Sequence, residues 1–78
     1  MTDLNWVDVE SSTIKSIAYD SENNCLYIRF VSGAEYKYLN VPYSVYKKFE
    51  EAPSKGVYLN SAIKENYSFE KTKPSLIN

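Results

Sequence analysis

The stretch that decides the fold is residues 25–41, which read CLYIRFVSGAEYKYLNV. Apolar and polar side chains alternate on both sides of one glycine, and a period of two is typical of strands that bury one face. Ser32 and Gly33 suit a tight turn, because glycine accepts a positive φ without strain. The stretch therefore predicts a β-hairpin with strands at Cys25–Val31 and Glu35–Val41.

An earlier strand is predicted at Thr13–Tyr19, before a cluster of aspartate, serine and asparagine residues that favours a turn. Directly opposed residues of an antiparallel pair share a face. A four-residue turn at 21–24 therefore unites the apolar faces by opposing these pairs: Tyr19 with Leu26 and Ile17 with Ile28. The three strands then form an antiparallel meander.

The length of the second turn decides the direction of Tyr36 and Tyr38. A two-residue turn at 32–33 would turn both rings toward the face of Arg29 and bring charged neighbours into the core. A three-residue turn at 31–33 would turn both rings inward. Burying unpaired charges costs several kcal/mol, so we favour the three-residue turn. Its glycine then occupies the left-handed position of a β-bulge. Each buried hydroxyl then needs a partner.

The second half of the chain has helical signals. Pro42 suits the first position of a helix, since its missing N–H would be unpaired there, and apolar residues follow at helical spacing up to Ala52. Pro53 ends this helix, and Ser54 can cap a second one with an apolar stripe over 59–67. The predicted fold is α+β: a three-stranded antiparallel β-meander followed by two short helices packed on one sheet face.

Seventy-eight residues allow one domain. We predict an N-terminal segment at 1–10, a single domain at 11–67 and a C-terminal tail at 68–78. The chain has no histidine and one cysteine, Cys25, which excludes an internal disulfide and His-dependent triads. No catalytic pair, metal site or cofactor site can be named, so we expect a protein that is not an enzyme and needs no metal or cofactor.

The charge balance is nearly neutral, with 9 basic and 10 acidic residues and a net charge of -1. The field of the whole chain will not attract nucleic acid or anionic lipid, so any basic site must be local. The N-terminus lacks the features of a secretory signal, and no window resembles a membrane span. We therefore expect a cytoplasmic protein without a membrane partner.

Short motifs follow one another in order along both halves of the chain. They are Ser11-Ser12-x-Ile14, Ile17-x-Tyr19-Asp20, Leu26-x-Ile28-x-Phe30, Gly33, Tyr36-x-Tyr38, Val41-Pro42, Val45-Tyr46, Ala52, Ser54-Lys55-Gly56, Tyr58, Asn60 and Ile63. Together they resemble the KTSC domain, a family named for a C-terminal extension of some lysyl-tRNA synthetases. The resemblance covers roughly Val9 to Tyr67, with Leu59 where phenylalanine is expected. It implies a stand-alone bacterial or phage-type protein of unproven function, for which RNA binding has been suggested.

Two motifs are candidates for ligand binding. Tyr36 and Tyr38 alternate onto one face, as aromatic residues do where a sheet stacks on unpaired bases, although the same rings can instead fill the core. The start of the second helix offers free N–H groups that suit a phosphate, although it can equally be a simple cap. The ligand-binding candidates are Tyr36, Tyr38, Ser54, Lys55, Gly56, Asn60, Arg29 and Lys37.

Two functional hypotheses follow from these residues. The first is a non-enzymatic module that binds RNA or another phosphate-bearing polymer. The second is a protein-interaction or self-association module that uses the outer sheet face or a sheet edge. They differ in salt dependence, because phosphate binding releases counterions and weakens steeply as salt is added.

Overall fold

The chain forms one antiparallel sheet whose five strands lie in sequence order, in a computed structural model that describes residues 4–73. The strands are β1 (Val7–Asp8), β2 (Ile14–Asp20), β3 (Cys25–Phe30), β4 (Glu35–Tyr38) and β5 (Phe69–Lys73). Between β4 and β5 the chain forms α1 (Tyr43–Glu51) and α2 (Lys55–Tyr58), and α2 continues into a π-helical turn (Leu59–Ile63). Within residues 4–73 no helix has the length and apolar character needed to cross a bilayer.

The register of the three central strands confirms the predicted turn lengths. Tyr36 lies opposite Ile28 and Tyr38 opposite Leu26, and the Phe30 N–H donates to the carbonyl of Ala34 at 2.8 Å across the three-residue turn. The turn glycine has a φ of 97°, which side chains with a Cβ rarely adopt. The turn at 21–24 likewise produces the two predicted pairs between β2 and β3. The three-residue turn predicted from the cost of charge burial is therefore confirmed.

The hydrophobic core lies between this sheet face and the helices. Its buried members come from both layers: Ile14, Ile17, Leu26, Ile28, Tyr38, Val41, Tyr46, Phe49, Leu59 and Ile63. The predicted helical stripes account for the helix contribution, because they supply Tyr46 and Phe49 from α1 and Leu59 and Ile63 from the second helical segment. Burial of these side chains is the main force that closes the domain.

The prediction of a three-stranded meander was incomplete, because two further strands extend the sheet at its edges. Val7 of β1 lies opposite Ile17, and β5 pairs with β4 by opposing Phe69 to Tyr38. The tail predicted at 68–78 therefore contains a strand, and residues 74–78 lie outside the described part. A two-residue strand is too short to show alternation, and every residue of β5 is exposed, so neither edge strand carries a strong apolar pattern.

The strand boundaries differ from the prediction by one to three residues, and two differences bear on how the chain enters α1. The third predicted strand ends at Tyr38, because Asn40 has a φ of 56° and turns the chain toward α1. Pro42 is the N-cap of α1 and has an extended conformation, so it precedes the first helical residue by one position. The predicted cap of the second helix is confirmed, since the Ser54 hydroxyl accepts a hydrogen bond from the Val57 N–H.

Candidate functional site

The helices leave part of the sheet face uncovered, and this part is a groove of about 700 Å³. We call it the aromatic groove. The sheet contributes four rings to its lining: Phe30, Tyr36, Tyr38 and Phe69. The second helical segment contributes Gly56, Leu59, Asn60 and Lys64, while Lys71 comes from β5 and Ser12 and Thr13 precede β2. A concave site of this size is in the usual range for small-ligand binding.

The aromatic lining grades from buried to exposed. Tyr38 is only 1% exposed and belongs to the core, whereas Tyr36 is half-buried and Phe69 is 49% exposed. Phe69 stacks on Tyr36 with ring centroids 5.1 Å apart and an interplanar angle of 15°, and Phe30 meets Tyr36 edge-on at 5.3 Å. The two predicted tyrosines therefore play different parts, and the ring with the most accessible surface is that of Phe69.

The hydroxyl of Tyr38 has no hydrogen-bond partner among residues 4–73, although the residue is buried. Burial raises the pKa of this hydroxyl, and the nearby Tyr36 raises the pKa further. Buried polar groups in proteins are nearly always paired with protein or water. A residue that lines the aromatic groove thus carries a donor that the described part of the chain leaves unpaired.

Two lysines, Lys64 and Lys71, line the aromatic groove, and none of its described lining residues is acidic. Neither lysine forms an ion pair within the described residues. The Lys71 ammonium lies 5.8 Å from the centroid of the Tyr36 ring, within range of a cation–π interaction. In a chain with a net charge of -1, a site for an anion has to be locally basic, and this groove meets that condition.

The predicted candidates Arg29 and Lys37 lie on the opposite face of the sheet. Arg29 contacts the buried Glu35 at 3.2 Å and lies 4.0 Å over the Trp6 ring. Lys37 pairs with Glu70 at 3.9 Å. The two residues therefore contribute to a paired outer face, and the structure does not bring them to the groove.

The Ser54-Lys55-Gly56 motif is divided between two tasks. Ser54 caps its helix, and the Lys55 ammonium donates to the carbonyl of Ala52 at 2.7 Å, where it satisfies the C-terminal end of α1. Gly56 lines the aromatic groove, and a Cβ added there would meet only Thr13 Oγ1, at 3.7 Å. That distance is an ordinary contact, so close packing does not require glycine at this position.

Asn60 is exposed and lines the groove, and its side chain forms no hydrogen bond within residues 4–73. It belongs to a π-helical turn in which the Lys64 N–H donates to the Leu59 carbonyl at 2.8 Å. Such turns occur frequently at functional sites. The turn places Leu59 and Ile63 in the core while Asn60 and Lys64 line the groove.

The groove residues that sequence reasoning missed include its most exposed ring, Phe69, and both of its lysines, Lys64 and Lys71. Phe69 and Lys71 lie in the segment predicted as a tail, and Lys64 was not among the ligand-binding candidates. The available signal was the spacing of Phe69 and Lys71, because residues two apart in a strand point to the same side. In β5 they lie opposite Tyr38 and Tyr36, on the groove side of the sheet.

The groups in and around the site suit binding. The aromatic groove offers planar apolar surface, an amide and two cations, which together match a planar ring attached to an anion. Among the described residues no three metal-ligating side chains come together. Cys25 is buried, and burial raises the pKa of its thiol, which disfavours the nucleophilic thiolate form.

These features define a small α+β domain with one antiparallel sheet, partly covered by helices on one side. The sequence profile of the KTSC domain matches residues 10–67. The chain therefore belongs to the KTSC domain family, as the ordered motifs indicated. A crystal structure of a KTSC domain protein from Yersinia pestis superposes with a TM-score of 0.85 at 36% identity, covering 88% of this chain and 97% of that one.

The curated relatives include both long and short proteins. A lysine–tRNA ligase of Nostoc punctiforme is 43% identical over 61 residues, which is 78% of this chain and 11% of the ligase. An uncharacterized protein of Stutzerimonas stutzeri is 38% identical over 61 residues and is covered to 86% of its length. The chain thus spans only 11% of the ligases it matches.

Proposed function

We propose that this KTSC domain is a non-enzymatic module that binds single-stranded RNA, with an unpaired base in the aromatic groove and phosphate near Lys64 and Lys71. The observation that carries the proposal is the composition of the groove lining. Within residues 4–73 it combines accessible aromatic surface with two lysines that form no ion pair and with no acidic residue, in a chain whose overall charge is slightly negative.

The physical basis is the usual one for single-stranded recognition. Unpaired bases stack on aromatic side chains, at about 1–3 kcal/mol per base, and lysines bind the backbone with release of counterions. Phe69 is the best platform, since its ring is half exposed and is supported from behind by Tyr36. The side-chain amide of Asn60, which forms no hydrogen bond within residues 4–73, can then hydrogen-bond to the edge of a base.

The relatives favour RNA among phosphate-bearing polymers. Three of them bear the name lysine–tRNA ligase, which specifies an RNA as a substrate of those enzymes. Each carries a segment 38–43% identical to this chain. A module with an RNA-compatible groove would be useful in that setting.

Self-association through the edge strand β5 is less favourable, because its charges oppose such pairing. Opposed residues of an antiparallel pair share a face, and like charges directly opposed are destabilising. Centring β5 on Glu70 or Lys71 would oppose that residue to its own copy. Centring it on Thr72 would oppose Lys71 to Lys73. We expect elution at the mass of a monomer at micromolar concentration, and a dimer would favour the self-association hypothesis.

The test is a titration of end-labelled single-stranded RNA at 50 and 200 mM salt, followed by fluorescence anisotropy. We expect binding that weakens with salt, and a loss of about 5- to 150-fold in Phe69→Ala, which removes the stacking surface. Lys48→Gln removes a positive charge outside the groove and should leave the affinity nearly unchanged. Absence of salt-sensitive binding in the folded wild-type protein would refute the proposal.

A further inference from the structure

We infer that the aromatic groove is a single-nucleotide site, which takes one unpaired base with its flanking phosphates and gains little from the rest of a strand. This inference rests on the proposed function and specifies its binding unit. Three independent features of the described residues support it: the number of accessible rings, the number of groove cations and the charge of the surrounding surface.

Among the described rings of the groove, that of Phe69 has the largest accessible stacking surface. Phe69 is 49% exposed, whereas Tyr38 is 1% exposed and Tyr36 has Phe69 stacked 5.1 Å from it. Proteins that hold several consecutive bases present a separate ring to each of two or three of them. Here the rings form one cluster behind Phe69, so a second base would find no comparably exposed ring among the described residues of the groove.

The cations of the groove are equally few. Lys64 and Lys71 are the charged residues of its described lining, so these residues neutralise at most about two phosphates. For a single strand, each neutralised phosphate contributes about -0.7 to the slope of log K against log salt concentration. The expected slope is therefore about -1.4, far shallower than that of a long basic channel.

The surface next to the groove does not continue the basic character. Beyond Lys71 along β5, Lys73 lies 3.8 Å from the carboxylate of Glu35, and Lys37 pairs with Glu70 of the same strand. A strand that leaves the groove on this side meets cations that already have acidic partners. Additional nucleotides therefore add little binding energy.

The experiment compares four probes by calorimetry: adenosine 3′,5′-bisphosphate, an eight-residue RNA backbone with one central adenine and seven abasic positions, the all-abasic backbone, and octaadenylate. We expect the bisphosphate and the one-adenine strand to bind within about threefold of each other, and the abasic strand at least tenfold more weakly. Octaadenylate should exceed the one-adenine strand by no more than the eightfold that its eight equivalent sites provide.

Charge variants test the same inference independently. Lys64→Gln and Lys71→Gln should each make the salt slope of the one-adenine strand shallower by about 0.7, and the matched Lys48→Gln should leave it unchanged. A slope steeper than about -3, or a one-adenine strand that binds more than tenfold tighter than the bisphosphate, would overturn the single-nucleotide inference and leave the RNA proposal standing.

The remaining outcomes separate the two proposals. If the bisphosphate binds and the embedded adenine does not, the groove is a site for free nucleotides, so the RNA proposal fails while the single-nucleotide inference stands. If neither octaadenylate nor the bisphosphate binds the folded protein, both proposals fail.

Discussion

Tyr19→Phe is the substitution for which the structure predicts the clearest loss of stability. The Tyr19 hydroxyl donates to the carbonyl of Val41 at 2.6 Å, and Val41 is fully buried. A second hydrogen bond holds the same segment, because the Val41 N–H donates to the carbonyl of Asn24 at 2.7 Å. The hydroxyl thus connects β2 to the segment that leads into α1.

The magnitude follows from what the substitution removes and what it leaves. The ring remains, so its stacking on Tyr46 at 5.2 Å is retained and no cavity forms. The hydrogen bond is lost, and a buried carbonyl loses a partner, which costs about 1–3 kcal/mol. For a domain of this size each kcal/mol lowers Tm by about 4–8 °C. We expect a loss of about 1–2 kcal/mol.

The assay is urea unfolding followed by circular dichroism, with Tyr27→Phe as the matched control. Tyr27 is also half-buried in the sheet, but its hydroxyl bonds to nothing within residues 4–73, so its removal should change the unfolding free energy by less than about 0.5 kcal/mol. Equal effects of the two substitutions would refute the role assigned to the Tyr19 hydroxyl.

Four further outcomes are expected. Gly56→Ala should stabilise the fold by about 0.5–1 kcal/mol in urea unfolding, because a methyl group fits beside Thr13 and helices favour alanine; a loss would contradict this placement. Tyr38→Phe should leave stability unchanged or raise it by up to about 1 kcal/mol, since it removes a buried hydroxyl without a protein partner in the described chain; a loss like that of Tyr19→Phe would reveal a partner. Burial raises the pKa values of Tyr38 and Tyr46, so the folded state disfavours their ionised forms. Stability is therefore insensitive to these two groups below about pH 10 and falls as the pH rises through the raised values. A Tm scan from pH 9 to 12 should show this loss, reduced in Tyr46→Phe. A hydrogen bond from the Asn23 side chain and, to a lesser degree, bonds from backbone N–H groups lower the pKa of the Asp20 carboxyl. The contribution of Asp20 to stability is therefore present above about pH 4 and disappears as the pH falls through the lowered pKa. Asp20→Ala should make Tm depend less on pH between pH 5 and 2.

The register between β3 and β4 could be predicted from the sequence because a shift of one residue would cost a large amount of folding free energy. A turn one residue shorter would have placed Glu35 and Lys37 in the core. In the structure Glu35 is nevertheless 7% exposed, on the outer face, where Arg29 and the Thr72 hydroxyl satisfy its carboxylate. Thr72 belongs to β5, so this compensation was invisible while that segment was taken for a tail.

The candidate site could be predicted only in part, for a related reason. The rings on β4 and the residues Gly56 and Asn60 lie in segments with strong local patterns, and they do line the groove. Phe69, Lys64 and Lys71 join them through edge-strand pairing and a π-helical turn, neither of which has a distinct hydrophobic period. Local pattern therefore identified the floor of the site but not its cations.

The position of β5 at the margin of the sheet has a consequence for how the groove is maintained. All five of its residues are exposed, and one side of its backbone has no neighbouring strand within residues 4–73, so this strand should open at a lower free energy than the central strands. An occupant held by Phe69 and Lys71 would slow amide hydrogen exchange in β5 far more than in β3. Ligand binding in the groove and the ordering of β5 would then be thermodynamically coupled.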